Sequence, residues 1–145
     1  MPSNPSAARR RLNDILYHID LAQSFVTGLS YEAFTDDLLR FHAATRCLEI
    51  VSEASRRLPD ELKARHPSIA WKAMAGAGNV YRHDYDYVAA RRIWDTLQIA
   101  MPPLRAVVAR ELAALDKSSW ASTRNRSRAA QVRTTHNCAV TPPST

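Results

Sequence analysis

Three glycines in 145 residues are too few for a protein built of sheets and tight turns. Alanine, leucine and arginine dominate instead, and that balance favours helices. Two cysteines, Cys47 in a predicted buried helix and Cys138 in a polar tail, do not make a disulfide framework. They read as reduced thiols of a cytoplasmic protein. No apolar run approaches the roughly 20 residues that span a bilayer, so no membrane is expected. The N-terminal stretch, with Arg9-Arg10-Arg11 leading into an amphipathic pattern, has no apolar core of a signal peptide. Ser-His-Asp arrangements, glycine-rich phosphate loops and Cys-x-x-Cys pairs are missing as well.

Acidic residues are also missing from one place. The formal net charge is +6, yet from Lys117 onward there are five cations (Lys117, Arg124, Arg126, Arg128, Arg133) and no acids. Without them, 15 Lys+Arg face 14 Asp+Glu, so the main body is nearly neutral and no whole-surface field for nucleic acid is indicated. The tail reads as a solvated basic segment that could add weak, salt-sensitive attraction to nucleic acid.

What is present is helical periodicity. Leu12, Ile15, Leu16, Ile19, Ala22, Phe25 and Val26 predict a helix over 9–27 that ends near Gly28. Tyr31 to Phe34 forms a short turn, and Thr35-Asp36-Asp37 caps a long helix. That helix carries Leu38, Phe41, Thr45, Leu48, Val51, Ser52 and Ser55 near one seam and Leu39, Ala43, Cys47, Ile50 and Ala54 beside it. Pro59 closes it. One polar turn follows, then a third helix from Ile69 to about Arg82 with the small-residue run Ala73-Met74-Ala75-Gly76-Ala77-Gly78. A last helix runs from about Tyr87 to Leu115, with Val88, Ile93, Trp94, Leu97, Ile99 and Ala100 on apolar stripes and Pro102-Pro103 kinking or breaking it. The expectation is all-α: an up-and-down bundle of four main helices in residues 9–115, then a flexible basic tail, 116–145.

The chemistry concentrates in Gly78-Asn79-Val80-Tyr81-Arg82-His83-Asp84-Tyr85. Asn79 and His83 are four residues apart and share a helix face; Arg82 flanks it, about 100° around from His83. An imidazole moves protons near neutral pH, and a guanidinium makes bidentate hydrogen bonds to phosphate. His plus Arg therefore suits RNA cleavage without metal, although a histidine at a helix C-terminus also simply favours the helix dipole. His83-Asp84-x-Asp86 lacks a second His/Cys group at metal-binding spacing, and no metal or cofactor is expected. Arg46, Glu49 and Glu53 form either an intrahelical ion-pair ladder or a polar line facing the His83 site. His18, His42 and His66 read as isolated surface or rim residues, and Trp71 and Trp94 as core.

In order, the chain carries Ala44-Thr45-Arg46-Cys47-Leu48-Glu49-Ile50-Val51-Ser52-Glu53-Ala54, then His66-Pro67-Ser68-Ile69-Ala70-Trp71. Ala75-Gly76-x-x-Asn79, His83-x-Tyr85 and Ile93-Trp94 follow. Over residues 9–115 it resembles the HepT-like HEPN proteins, toxin partners of small MntA-type nucleotidyltransferase antitoxins; the tail has no counterpart there. The resemblance implies an all-α bundle that dimerises, or assembles further, around a composite cleft. It also implies a metal-independent endoribonuclease acting on RNA such as tRNA or mRNA. The family signature is Arg-Asn, three variable residues, His, one residue, Tyr. Asn79, His83 and Tyr85 match it, which implies His83 as catalytic acid/base and Tyr85 as the residue the antitoxin AMPylates. The signature's arginine falls on Gly78. Losing one such transition-state contact costs on the order of 10²–10³ in rate, and Arg82 is the nearest replacement.

Overall fold

Asn4 opens the first helix: its side-chain oxygen accepts the Ser6 backbone N–H at 3.0 Å, and Pro5 occupies the first turn, where no N–H is required. The protein is described by a computed structural model covering residues 4–83 and 87–135, with side chains described except at 79–83, 87, 88, 125 and 127–135. Helix α1, Pro5–Val26, begins earlier than periodicity alone indicates because the cap, not the apolar seam, sets its start. Ala8, Leu12, Ile15, Ile19, Ala22 and Val26 are its buried line. Gly28, at φ 76°, supplies the left-handed turn that ends it.

Helix α2 (Tyr31–Asp36) is capped by Ser30, and α3 (Leu38–Arg56) by Asp37, whose carboxylate accepts the Arg40 N–H at 3.1 Å. Phe34 pins the short α2: it is fully buried, with its ring 5.6 Å from Phe41 and 5.4 Å from Trp94. Burial of a side chain that size contributes about 1.5–3 kcal/mol. The Arg11 guanidinium donates to the Arg57 carbonyl at 2.7 Å, so the start of α1 lies beside the end of α3 and the two helices run antiparallel. Two expected seam positions are corrected: Leu38 and Leu39 are 66% and 82% exposed. They occupy the first turn of α3, before Ala44, Cys47, Leu48, Val51 and Ala54 reach the core.

Helices α4 (Asp60–Ala64) and α5 (Trp71–His83) follow, then α6 (Tyr87–Asp95), a π-helical turn (Thr96–Ala100) and α7 (Met101–Thr135). The prolines at 102 and 103 do not break the path. Proline inside a helix clashes with the carbonyl four residues back. Here the turn ahead of it is widened, the Met101 N–H bonding to the Thr96 carbonyl, so both prolines fall in the first turn of α7. The extra residue bulges outward, and Ile99, expected on an apolar stripe, is 71% exposed. Ile93, Leu97, Met101, Leu104 and Val108 remain buried across the junction.

The architecture is an all-α bundle, and two compact units are distinguished, residues 1–112 and 113–145. In the first, α7 is tied to α1 by Arg105, which meets Asp20 through two hydrogen bonds of 2.5 and 3.1 Å. In the second, the apolar pattern stops as expected, yet the backbone stays helical to Thr135. No proline or glycine occurs between Leu104 and Thr135 to end it. No described helix is long and apolar enough to cross a membrane.

Candidate functional site

Helix α5 carries the residues expected to do chemistry, and its N-terminus is held by Trp71. The indole N–H of Trp71 donates to the carbonyls of Lys63 (3.1 Å) and His66 (2.9 Å), fastening α5 to the end of α4. His66 is not an isolated rim residue. Its Nε2 lies 2.6 Å from Glu111 Oε1, and both side chains are only 12% exposed. Arg65 donates to the same carboxylate at 2.6 and 3.2 Å, so two consecutive residues of the α4–α5 connection are clamped onto α7. The Arg65 hydrogen bond holds the Glu111 carboxyl below the ordinary carboxylate range, against the opposing effect of burial; the His66 contact adds to the lowering. Sequence reasoning missed this cluster because its members are 45 and 46 residues apart.

The small-residue run of α5 does permit close approach, at one position. Gly78 is buried against α3, and a Cβ built on it would lie 2.9 Å from Ser52 Oγ, 3.2 Å from Ser52 Cβ and 3.9 Å from the Glu49 Cα. Gly76, by contrast, is exposed and a Cβ there would meet nothing within 4 Å. Ser52 fills the gap left by the missing side chain. Its hydroxyl accepts the Gly78 backbone N–H at 3.1 Å and donates to the Ala75 carbonyl at 3.1 Å. The side chain is 3% exposed. A serine on one helix is thus bonded to the backbone of the next, and this fixes how α5 is rotated.

That rotation orders the remaining positions. Taking Gly78 as the point facing α3, regular helix geometry sets position 79 about 100° around and position 83 about 140°, one turn apart. Position 82 lies about 40° from Gly78, closer to the α3 seam. The helical backbone extends through His83, so Asn79, Arg82 and His83 share the last turn and a half of α5. Their side chains, and Tyr85 altogether, lie outside the described residues.

The line Arg46, Glu49, Glu53 forms an ion-pair ladder. Arg46 meets Glu49 at 2.8 Å, while Glu53 pairs with Arg56 and, at 2.7 Å, with Arg57. The same three side chains border an open groove of about 400 Å³ opposite Arg10, Arg11 and Asp14 of α1. Such partly exposed pairs contribute a few tenths of a kcal/mol each, about 0.3–0.5. Cys47, 4% exposed, is a packing residue; burial pushes its thiol up and makes the thiolate scarcer. Among the described residues no group of three His, Cys, Asp or Glu side chains is placed to hold a metal ion.

Comparison with known proteins bears on this arrangement. The family model described as "Ribonuclease HepT-like" matches residues 15–111. "Putative RNase TTE0752" of Caldanaerobacter subterraneus subsp. tengcongensis is 35% identical over 100 residues, 69% of this chain and 89% of that protein. "Probable ribonuclease HepT" of Thermococcus cleftensis is 35% identical over 94 residues, 65% of this chain and 86% of the other. "Putative RNase MJ1216" of Methanocaldococcus jannaschii is 30% identical over 94 residues, 65% of this chain and 78% of that one. No solved structure matches.

Proposed function

We propose, from the premise that this chain belongs to the HepT-like ribonuclease family, that it is the toxin of a type VII toxin–antitoxin pair. In this reading it is a cytoplasmic, metal-independent endoribonuclease that works as a homodimer or higher oligomer. The observation that supports the reading is the Gly78–Ser52 contact, which turns Gly78 toward α3; on a regular helix positions 79 and 83 then fall within about 40° of each other, off that seam. The His83 imidazole takes the proton of a ribose 2′-hydroxyl, or returns one to the departing 5′-oxygen, as the 2′-oxygen attacks phosphorus and the bond to the 5′-oxygen breaks. Arg82 binds the phosphate and Asn79 positions it. A MntA-type nucleotidyltransferase is the antitoxin, and AMP attached to Tyr85 adds bulk and negative charge that repel RNA.

Incubation of the purified protein with total tRNA in EDTA tests this reading, alongside His83→Ala and Arg82→Ala. Cleavage by the parent chain, abolished in His83→Ala and reduced in Arg82→Ala, is expected; cleavage unchanged in His83→Ala refutes the assignment.

A second reading has its own observation. The position of the family's arginine is a buried glycine against Ser52, so α5 carries no guanidinium there. A catalytically weakened dimer that still pairs with the nucleotidyltransferase predicts complex formation but no growth arrest when the chain is expressed alone. Growth arrest relieved by His83→Ala excludes it.

A further inference from the structure

The part of α7 in the second unit has properties that the HepT-like body does not explain. Residues 113–145 lie beyond the stretch the family model matches, which ends at 111. From Asp116 to Arg124 every residue is exposed. Five of the 20 cations fall here against a single acid, Asp116. In this charged, solvated setting stands one large aromatic, Trp120, 53% exposed. The Arg124 guanidinium lies 3.8 Å from the centre of its ring. Trp120 therefore presents much of its indole to water, with the Arg124 guanidinium stacked on the ring.

We infer that this helical extension is a docking arm for single-stranded RNA, in which a base stacks on the open face of Trp120 while Lys117, Arg124 and Arg126 hold the flanking phosphates. Lys117 and Arg124 are seven residues apart, so they recur on nearly the same line of the helix about 10 Å apart, with Trp120 between them. Interleaving an aromatic plane with cations is what sequence-tolerant single-strand binding requires: every base offers a π-face and every nucleotide a phosphate. A second copy of the chain is the poorer occupant. Helix pairing needs apolar residues recurring every three or four positions, and between Asp116 and Gln131 Trp120 is the only large apolar side chain. An acidic protein would satisfy the cations and leave the indole unused.

The inference rests on the reading of the chain as a protein that acts on RNA, but the test separates the two. A 5′-labelled 2′-O-methyl oligonucleotide of about 12 residues, within the site size such surfaces cover, cannot be cleaved through its 2′-oxygen and reports binding alone. Fluorescence anisotropy with the full chain is expected to show Trp120→Ala weakening binding about 5- to 100-fold and Trp120→Phe restoring most of it. Arg124→Gln should lower the slope of log affinity against log salt by about 0.7. Cleavage of a dinucleotide substrate should be unchanged in Trp120→Ala, while KM for long RNA rises. Equal affinity of Trp120→Ala and the parent chain overturns the inference, as does equal competition by polyglutamate of matched charge. Loss of self-association in Trp120→Ala without loss of RNA affinity overturns it in favour of a second copy. Binding that depends on Trp120 in a chain that cleaves nothing leaves the arm standing and refutes the ribonuclease reading alone.

Discussion

Replacing Gly78 by alanine sets two effects of opposite sign against each other. Alanine is favoured over glycine in a helix interior by about 1 kcal/mol. Its Cβ would lie 2.9 Å from Ser52 Oγ, closer than such atoms approach, and 3.2 Å from Ser52 Cβ. Rotating the hydroxyl away relieves the first contact but gives up its bonds to the Gly78 N–H and the Ala75 carbonyl, each worth about 0.5–1.5 kcal/mol net. Moving α5 instead incurs an overpacking penalty of about 1–3 kcal/mol. The steric term wins, and Gly78→Ala is expected to destabilise by about 1–2 kcal/mol, a fall of roughly 4–8 °C in Tm. The discriminating measurement is a double-mutant cycle by urea unfolding. In a Ser52→Ala background only the 3.2 Å contact survives, and Gly78→Ala should be close to neutral. In Ser52→Gly both contacts are gone, and the same substitution should stabilise by about 1 kcal/mol. A Gly78→Ala cost that is identical in the parent and Ser52→Gly backgrounds would refute the idea that Ser52 is what reserves position 78 for glycine.

The remaining predictions follow from neighbouring features. Gly78→Arg, which restores the family signature, should destabilise at least as much as Gly78→Ala and fail to raise tRNA cleavage; higher kcat in that variant would show that α3 leaves room for the side chain. Ser55 is 1% exposed and its hydroxyl has no hydrogen-bond partner among the described residues, so Ser55→Ala should be neutral or stabilise by up to about 1 kcal/mol in thermal unfolding. Loss of more than that would reveal a partner for Ser55. Glu111, held below the ordinary carboxylate range chiefly by Arg65, binds fewer protons folded than unfolded between the two pKa values. Its contribution is therefore complete above the ordinary range and disappears as pH falls through the lowered folded value. Urea unfolding between about pH 6 and 3 should lose stability more steeply in the parent chain than in Glu111→Gln, and parallel curves would exclude the clamp as the cause.

Legibility differed between features that are local in the chain and those that are not. The α1 seam could be read because Leu12, Ile15, Ile19 and Ala22 repeat at the spacing of one helix face, and all are buried. The cap at Thr35-Asp36-Asp37 could be read because Asp37 bonds to backbone three residues on; Ser30 does the same for α2, a stretch read only as a turn. Apolarity alone misplaced Leu38, Leu39 and Ile99, because periodicity records which residues could be buried and not whether a neighbour is there to cover them. His66 was misread for the converse reason: its partner is far away in the chain. For the site, spacing and the family signature identified Asn79, His83 and Tyr85 as candidates. They could not show that Gly78 is occupied from the other side by Ser52, since 26 residues separate the two and neither is unusual alone.

The widened turn at Thr96–Ala100 has a consequence for how the chain tolerates changes in length. It stores one residue more than an α-helix would use over the same rise, ahead of two prolines that forbid ordinary helical bonding there. Removing one residue would close this turn to an ordinary α-helix and put the prolines where its bonding is needed, whereas adding one would rotate everything after it by about 100°. Met101, Leu104 and Val108 would leave the interior together, and Arg105 and Glu111 would swing away from Asp20, Arg65 and His66. Counting, more than composition, is what these five residues contribute: Gln98 and Ile99 are exposed and free to vary in kind, but not in number.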